Sequence, residues 1–377
     1  MIRKRLFSPG PTPIPPEALA AMARPIIYHR SPEFEAVQAE VREGLKYVFQ
    51  TQNEVILMAA SGTGAMEAAV VNTLARGDRA LVIRGGKFGE RWGEICKGYG
   101  IPFEAIDVEW GKAADPARVA DALRRLPDAR AVLATHSETS TGVLHDLQAI
   151  AEVVRPTPAV LVADCVTSLG VTDVPTDAWG LDVVVSGSQK ALMLPPGLAF
   201  CALSEKAWAA AGRSDLPKFY FNLAAERKSL LKNQNAFTPA VSLVVALRET
   251  LARIRAEGLP NVFARHERLA AATRAGVQAL GCALFSERPT PAATAATPPA
   301  GIEASAIVKT LRTEHGITIA GGQDRLKGKI FRISHMGYVD GTDVIAVLGA
   351  LERTLARLGA PVRLGEGVRA AQEILLK

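Results

Sequence analysis

Short apolar runs alternate with amphipathic stretches along most of this chain. Val55 to Met58, Ala80 to Ile83, Phe103 to Ile106, Ala131 to Ala134, Val160 to Ala163, Val183 to Val185 and Leu198 to Ala202 have the length and β-branched content of buried strands. Helical spacing fills most of the intervals, as from Gly64 to Leu74, and two further helices are predicted at Pro16-Glu17 and across Glu33 to Phe49. Strand and helix in turn predict an α/β fold with a mainly parallel sheet. Ahead of Pro16 the chain is too rich in proline for a helix and reads as an extended arm of the kind that packs on a partner subunit.

Beyond Glu257 the alternation weakens. A helix is expected from Ala264 to Ala279, a strand from Cys282 to Phe285, and a solvated low-complexity link from Pro289 to Pro299. A helix from Ala304 to His315 and a strand from Lys329 to Ser334 follow. A chain of 377 residues exceeds the ~250–300 at which single cores stop growing. The predicted organisation is an N-terminal arm (1–20), a large domain (21–256) and a small α/β C-terminal domain (257–377).

No apolar run approaches the ~20 residues a membrane span needs. The basic start leads into Ser8-Pro9-Gly10-Pro11-Thr12-Pro13 instead of a signal-peptide core, so a cytoplasmic protein is expected. The net charge of +6 is spread among interleaved acids without an aromatic-basic module, which points to solvated surface and away from nucleic acid. Cys96, Cys165, Cys201 and Cys282 are widely spaced and read as core residues. The histidines have no metal-ligand spacing, and there is no G-x-S-x-G elbow.

Ligands of open α/β sheets bind beyond the carboxyl ends of the strands, and those positions carry this chain's chemistry. Val183-Val184-Val185 runs into Ser186-Gly187-Ser188-Gln189-Lys190. Lys190 is either a solvated charge or an amine that loses its proton when partly buried and bonds to an aldehyde. Pyridoxal phosphate is the obvious aldehyde, and it would need a carboxylate, a phosphate cradle and a flat partner. Val160 to Ala163 ends in Asp164, a helix-capping aspartate or a buried carboxylate in need of a cation. Val166 follows at a position to cover one face of a ring.

Ser61-Gly62-Thr63-Gly64 opens a helix and offers backbone N–H groups and hydroxyls to an anion. Its rival is a dinucleotide turn: Glu67 stands where the third glycine belongs, while Arg84 suits a 2′-phosphate, so an NADP-binding oxidoreductase remains an alternative. Phe88 lies between Gly86 and Gly89, ready to stack on a planar ring, whereas Trp92 reads as core. The hydroxyl-rich run Thr135 to Gly142 either caps a loop or bonds a ring hydroxyl. Arg332, set among Phe331 and Ile333, needs an anion if it is buried.

Taken in order, Ser8-Pro9-Gly10-Pro11-Thr12, Ser61 to Glu67, Glu138-Thr139-Ser140-Thr141-Gly142, Asp164, Ser186 to Lys190 with Pro195-Pro196-Gly197, and Arg332-Ile333-Ser334 resemble the class V aminotransferases of fold type I. Within that family the likeness is to the serine–pyruvate and alanine–glyoxylate enzymes. The resemblance implies Lys190 as the residue bonded to pyridoxal 5′-phosphate, Asp164 at the pyridine nitrogen and Phe88 stacked on the ring. It implies Thr139 at the ring hydroxyl, with Ser61, Gly62, Thr63, Val166, Ser186, Ser188 and Gln189 around the cofactor, and Arg332 on the substrate α-carboxylate. Thr238 matches a residue that reaches the partner subunit's phosphate, which implies a homodimer with shared active sites. The pattern departs at Asn235, where relatives often carry tyrosine, and at Ser137, where they tend to have glycine.

The implied reaction is ping-pong transfer of an amino group from serine or alanine to glyoxylate or pyruvate. Arg30 is the residue able to redirect this toward aspartate or phosphoserine. A cysteine desulfurase would need a reactive cysteine in a mobile loop, and none is evident.

Overall fold

A computed structural model describes residues 2–377. Its centre is a seven-stranded sheet of β1 (Val55–Met58), β2 (Ala80–Arg84), β3 (Phe103–Asp107), β4 (Ala131–Thr135), β5 (Val160–Asp164), β6 (Val183–Gly187) and β7 (Ala199–Leu203), in spatial order β1-β7-β6-β5-β4-β2-β3. Pairings from β6 across to β3 are parallel, and β7 runs antiparallel between β6 and β1.

The strands are apolar on both faces because helices cover both. Alternation along β5 splits its side chains: Leu161 and Ala163 join a core with Leu45, Phe49 and Leu247, while Val160 and Val162 join one with Met66, Val70 and Trp92. The first core is closed by α1 (Pro32–Phe49), the second by α2 (Gly62–Thr73) and α3 (Lys87–Gly98). Asp164 and Lys190 thus stand at the rim of a sheet buried on both sides.

α4 (Val241–Glu257) still packs on the large core, and α5 (Leu259–Ala279) turns away after Gly258 toward a second, smaller core. That core lies against a four-stranded sheet of β8 (Ala283–Leu284), β9 (Ala293–Thr297), β10 (Ala320–Gly321) and β11 (Phe331–Ser334), ordered β8-β9-β11-β10. The other side is formed by α6 (Gly341–Arg357) and α7 (Glu366–Leu375).

One expectation is corrected here. The segment 289–299 is not a solvated link: Thr290, Ala292, Ala293, Thr294 and Ala296 are buried, and β9 is an inner strand. Small residues with few large apolar ones look like low complexity in sequence, yet their slimness is what lets β9 pass close to the loop at Gly142. There Ala295 Cβ lies 2.7 Å from where a Cβ on Gly142 would stand, and Gly142 has a left-handed φ of +77°. Within the chain, Arg5–Leu6 of the N-terminal arm pairs in parallel with Ile317–Thr318, and Phe7 enters the small core.

α5 and α7 cross at Gly276 and Gly367, where a Cβ on Gly276 would lie against Leu348 and 3.0 Å from the Gly367 carbonyl oxygen. Gly276→Val overpacks this crossing, with an expected loss of about 2–3 kcal/mol in stability, read as a lower denaturation midpoint. An unchanged midpoint would show that the helices separate freely.

Candidate active site

β5 and β6 are parallel neighbours in register at Asp164 and Val185, so the chain leaves the sheet with a carboxylate on one strand and, three residues past the next, Lys190. Asp164 is buried and its Oδ1 accepts from the Val166 N–H at 2.9 Å. Burial pushes its pKa up to about 6; the Glu138 charge adds to this, and the Val166 bond, Lys190 and Arg91 oppose it. Burial acts on Lys190 in the opposite sense and brings its pKa down to about 8, Asp164 opposing and Arg332 and Arg91 reinforcing. Each feels the other's charge, yet the described residues hold no direct ion pair between them.

The N-terminal arm fixes the lysine. Its Nζ donates to the Pro9 carbonyl oxygen, and the Thr12 hydroxyl donates to the Lys190 carbonyl at 2.8 Å. The Ser-Pro-Gly-Pro-Thr run is therefore a clamp on the site.

Between the two groups opens a cavity. Ser61, Gly62, Thr63, Phe88, Thr139, Asp164, Val166, Gln189 and Lys190 all border it. α2 begins at this wall. Ser61 is its N-cap but makes no side-chain capping bond, and the N–H groups of the first turn have no intrahelical acceptors. Gly187 and Gly62 let β6 and α2 meet closely, since a Cβ on Gly187 would lie 3.2 Å from the Gly62 nitrogen.

Six residues singled out in the sequence do not border this cavity. The Ser188 hydroxyl donates to Pro195 O at 2.6 Å and accepts from Leu198 N at 3.2 Å, so it shapes the turn behind Lys190. Ser186 is buried within β6. Asn235 and Thr238 border a separate, much smaller pocket, and the Asn235 Oδ1 accepts from Gln38 Nε2 at 2.7 Å. Arg332 is buried behind Thr139: its Nη1 donates to Thr139 O at 2.8 Å, and its Nε and Nη2 donate to Gly321 O at 3.0 and 2.7 Å. Burial brings its pKa down to about 10, against the pull of Glu138, and among the described residues no carboxylate pairs with it directly. Arg30 is away from the cavity, with Nη1 donating to Gln234 Oε1 at 2.9 Å.

Sequence reading missed Glu138, Arg91, Met66 and Thr167. Glu138 is fully buried and accepts from the N–H groups of Phe88 (3.0 Å), Gly89 (2.9 Å) and Ser140 (3.1 Å) and from the Ser140 hydroxyl (2.5 Å). Its carboxylate sits at the start of α3 and fixes the backbone that carries Phe88. Met66, Arg91, Ser137 and Thr167 border the cavity. Arg84, the basis of the dinucleotide alternative, makes a two-pronged ion pair with Asp107 at 2.8 Å on each contact and does not border the cavity, so that alternative loses its anion partner.

The donor set suits pyridoxal phosphate. A helix start with free N–H groups lies at one wall, Phe88 and Val166 offer apolar faces, and an unpaired carboxylate oxygen and a lysine amine complete it. The Gln189 Oε1 is buried with no hydrogen-bond partner among the described residues, a group left for a ligand to satisfy.

Fold and site together define a pyridoxal-phosphate-dependent transferase of fold type I. The class V aminotransferase family model matches residues 5–346, and the chain belongs to that family. Over 377 residues it is 48% identical to a protein of Synechococcus sp. (strain PCC 6716) named as the small subunit of a soluble hydrogenase, covering 98% of each chain. It is 39% identical over 376 residues to an L-aspartate–glyoxylate aminotransferase of Paracoccus denitrificans, covering 98% of this chain and 95% of that one. The solved alanine–glyoxylate aminotransferase of Nostoc sp. superposes with a TM-score of 0.90 at 31% identity, covering 94% of this chain and 96% of that one.

The raised Asp164 pKa is a stability cost with a definite pH window. An aspartate near 3.8 in the unfolded chain and near 6 in the fold destabilises the fold increasingly as pH rises through that interval, and fully above it. Cofactor-free Asp164→Asn is therefore expected to be more stable than the parent at pH 8, by roughly 2–3 kcal/mol at most. The gain should shrink toward pH 4.5 in parallel denaturant titrations. Equal stability at pH 8 would mean the carboxylate is not strained.

Proposed function

We propose that this aminotransferase takes the amino group of a small amino acid, serine or alanine, and delivers it to glyoxylate or pyruvate at the cavity between Asp164 and Lys190. The observation that carries the reading is the opposed displacement of these two groups, a carboxylate raised to about 6 and an amine lowered to about 8 on either side of one cavity. When bound, pyridoxal phosphate supplies an aldehyde that takes the amino group and a ring that withdraws electrons from the substrate Cα. Ser61, Gly62, Thr63 and Gln189 would hold its phosphate end, Phe88 and Val166 its faces, and Thr139 its hydroxyl.

Lys190 Nζ, deprotonated through part of the neutral-to-alkaline range, accepts the Cα proton and returns it on the far side of the transfer. Asp164 keeps a proton on the ring nitrogen, and its burial strengthens that contact. Arg332 offers guanidinium N–H groups to the α-carboxylate while Gly321 and Thr139 hold it in place. Asn235 and Thr238, which do not border their own chain's cavity, complete the site of a second copy, which makes a homodimer with shared sites the working assembly.

Aspartate as donor is the second reading, favoured by the activity that the Paracoccus relative's name states. Arg30, its candidate side-chain partner, does not border this chain's cavity. The hydrogenase name of the Synechococcus relative has no counterpart in this site, and among the described residues no group of three or more His, Cys, Asp or Glu is placed to hold a metal ion.

Mixing the holoprotein with single amino acids and following the visible absorbance of the cofactor tests the donor, and adding glyoxylate, pyruvate or 2-oxoglutarate tests the acceptor. Serine and alanine should bleach the band fastest and glyoxylate or pyruvate restore it; a response to aspartate alone would favour the second reading. Arg332→Ala should raise the amino-acid KM by about 100-fold while cofactor is retained, as expected for losing a two-pronged ionic contact. An unchanged KM would put the carboxylate elsewhere.

A further inference from the structure

Arg91 is a charged side chain that borders the cavity. It lies on α3 one turn after Phe88, so both project to the same side of the helix. Its guanidinium carbon is 5.0 Å from the centre of the Phe88 ring, within cation–π range, and its Nη1 donates to the Thr63 hydroxyl at 3.1 Å. One half-buried guanidinium thus touches both the aromatic wall of the cavity and the first turn of α2. It borders the cavity itself, and among the described residues no carboxylate forms a salt bridge with it. A cation held beside a cavity by a hydroxyl and a ring, with no anion of its own, is incompletely compensated.

The other two cations nearby are committed. Lys190 Nζ donates to the Pro9 carbonyl, and the Arg332 guanidinium is held by the carbonyls of Gly321 and Thr139. The α2 terminus contributes only about half an elementary charge, whereas a phosphate monoester carries nearly two. Arg91 is the cation that stands at the α2 end of the cavity, and its charge reaches as far as Asp164 and Lys190.

Resting on the cofactor reading above, we propose that Arg91 is a positioning residue for the phosphate end of pyridoxal phosphate. Its guanidinium supplies the fixed positive charge there and holds the Thr63 hydroxyl and the Phe88 ring in place with the same group. Five planar N–H donors let it serve both neighbours at once and still face the cavity.

The test uses equilibrium binding by cofactor-free protein, with two ligands that share ring and aldehyde: pyridoxal 5′-phosphate and pyridoxal. Arg91→Gln should weaken pyridoxal phosphate by about tenfold or more, the scale of one charge-assisted contact, and change pyridoxal by less than about twofold. Arg91→Lys, which keeps the charge, should recover most of the loss. Equal weakening of both ligands would overturn the inference and leave Arg91 a support for Phe88 alone. So would unaltered cofactor affinity with a raised amino-acid KM, which would make Arg91 a substrate residue. If the parent protein itself bound no pyridoxal phosphate, the cofactor reading would fall as well. Parent binding matched by Arg91→Gln would remove this inference only. Thermal unfolding of each variant identifies any change that comes from misfolding.

Discussion

The structure depends on holding a carboxylate and an amine at the ends of two adjacent buried strands without letting them neutralise each other. Burial disfavours charge on both, raising the acid and lowering the base. A direct ion pair would cancel this tension and fill the cavity. Instead, Asp164 takes one backbone N–H from Val166, Lys190 is turned to the Pro9 carbonyl, and space is left between them. Both groups are left with capacity for a ligand, the acid for a cation and the amine for a carbon electrophile.

The surrounding elements keep that arrangement from collapsing. The N-terminal arm is tied to Ile317–Thr318 through Arg5–Leu6 and then runs over Lys190, so the lysine is clamped by a segment anchored beside the smaller core. Thr139 works in two directions: it borders the cavity, and its carbonyl holds Arg332 from the small sheet. Glu138 beside it anchors the start of α3 and thereby Phe88. Positions contributed by residues far apart in sequence are thus locked by backbone contacts, which are less easily displaced than long side-chain pairs.

Much of this was legible in the chain. Short apolar runs gave the strands within a residue or two, and polar residues just after them marked the cavity wall from Ser61 through Lys190, because a parallel sheet puts those positions on one rim. Three things were not legible. The alanine- and threonine-rich stretch at 289–299 lacks the bulky residues that signal a strand, and its burial comes from tertiary packing, as where Ala295 meets Gly142. Glu138 read as one polar residue in a polar loop, since its acceptor role involves the backbone N–H groups of Phe88 and Gly89, about fifty positions upstream. Arg91 was hidden because helical spacing only puts it beside Phe88, and what makes it a cavity residue is its tertiary contact with Thr63.

The central claim is that Lys190 is the amine poised to capture a phosphorylated aldehyde opposite Asp164. Borohydride reduction of the cofactor-loaded protein, followed by proteolysis and mass spectrometry, reads the site of attachment directly. The account predicts a pyridoxyl group on the peptide containing Lys190 and on no other. Attachment at a different lysine, or none at all with Lys190 intact, would contradict it.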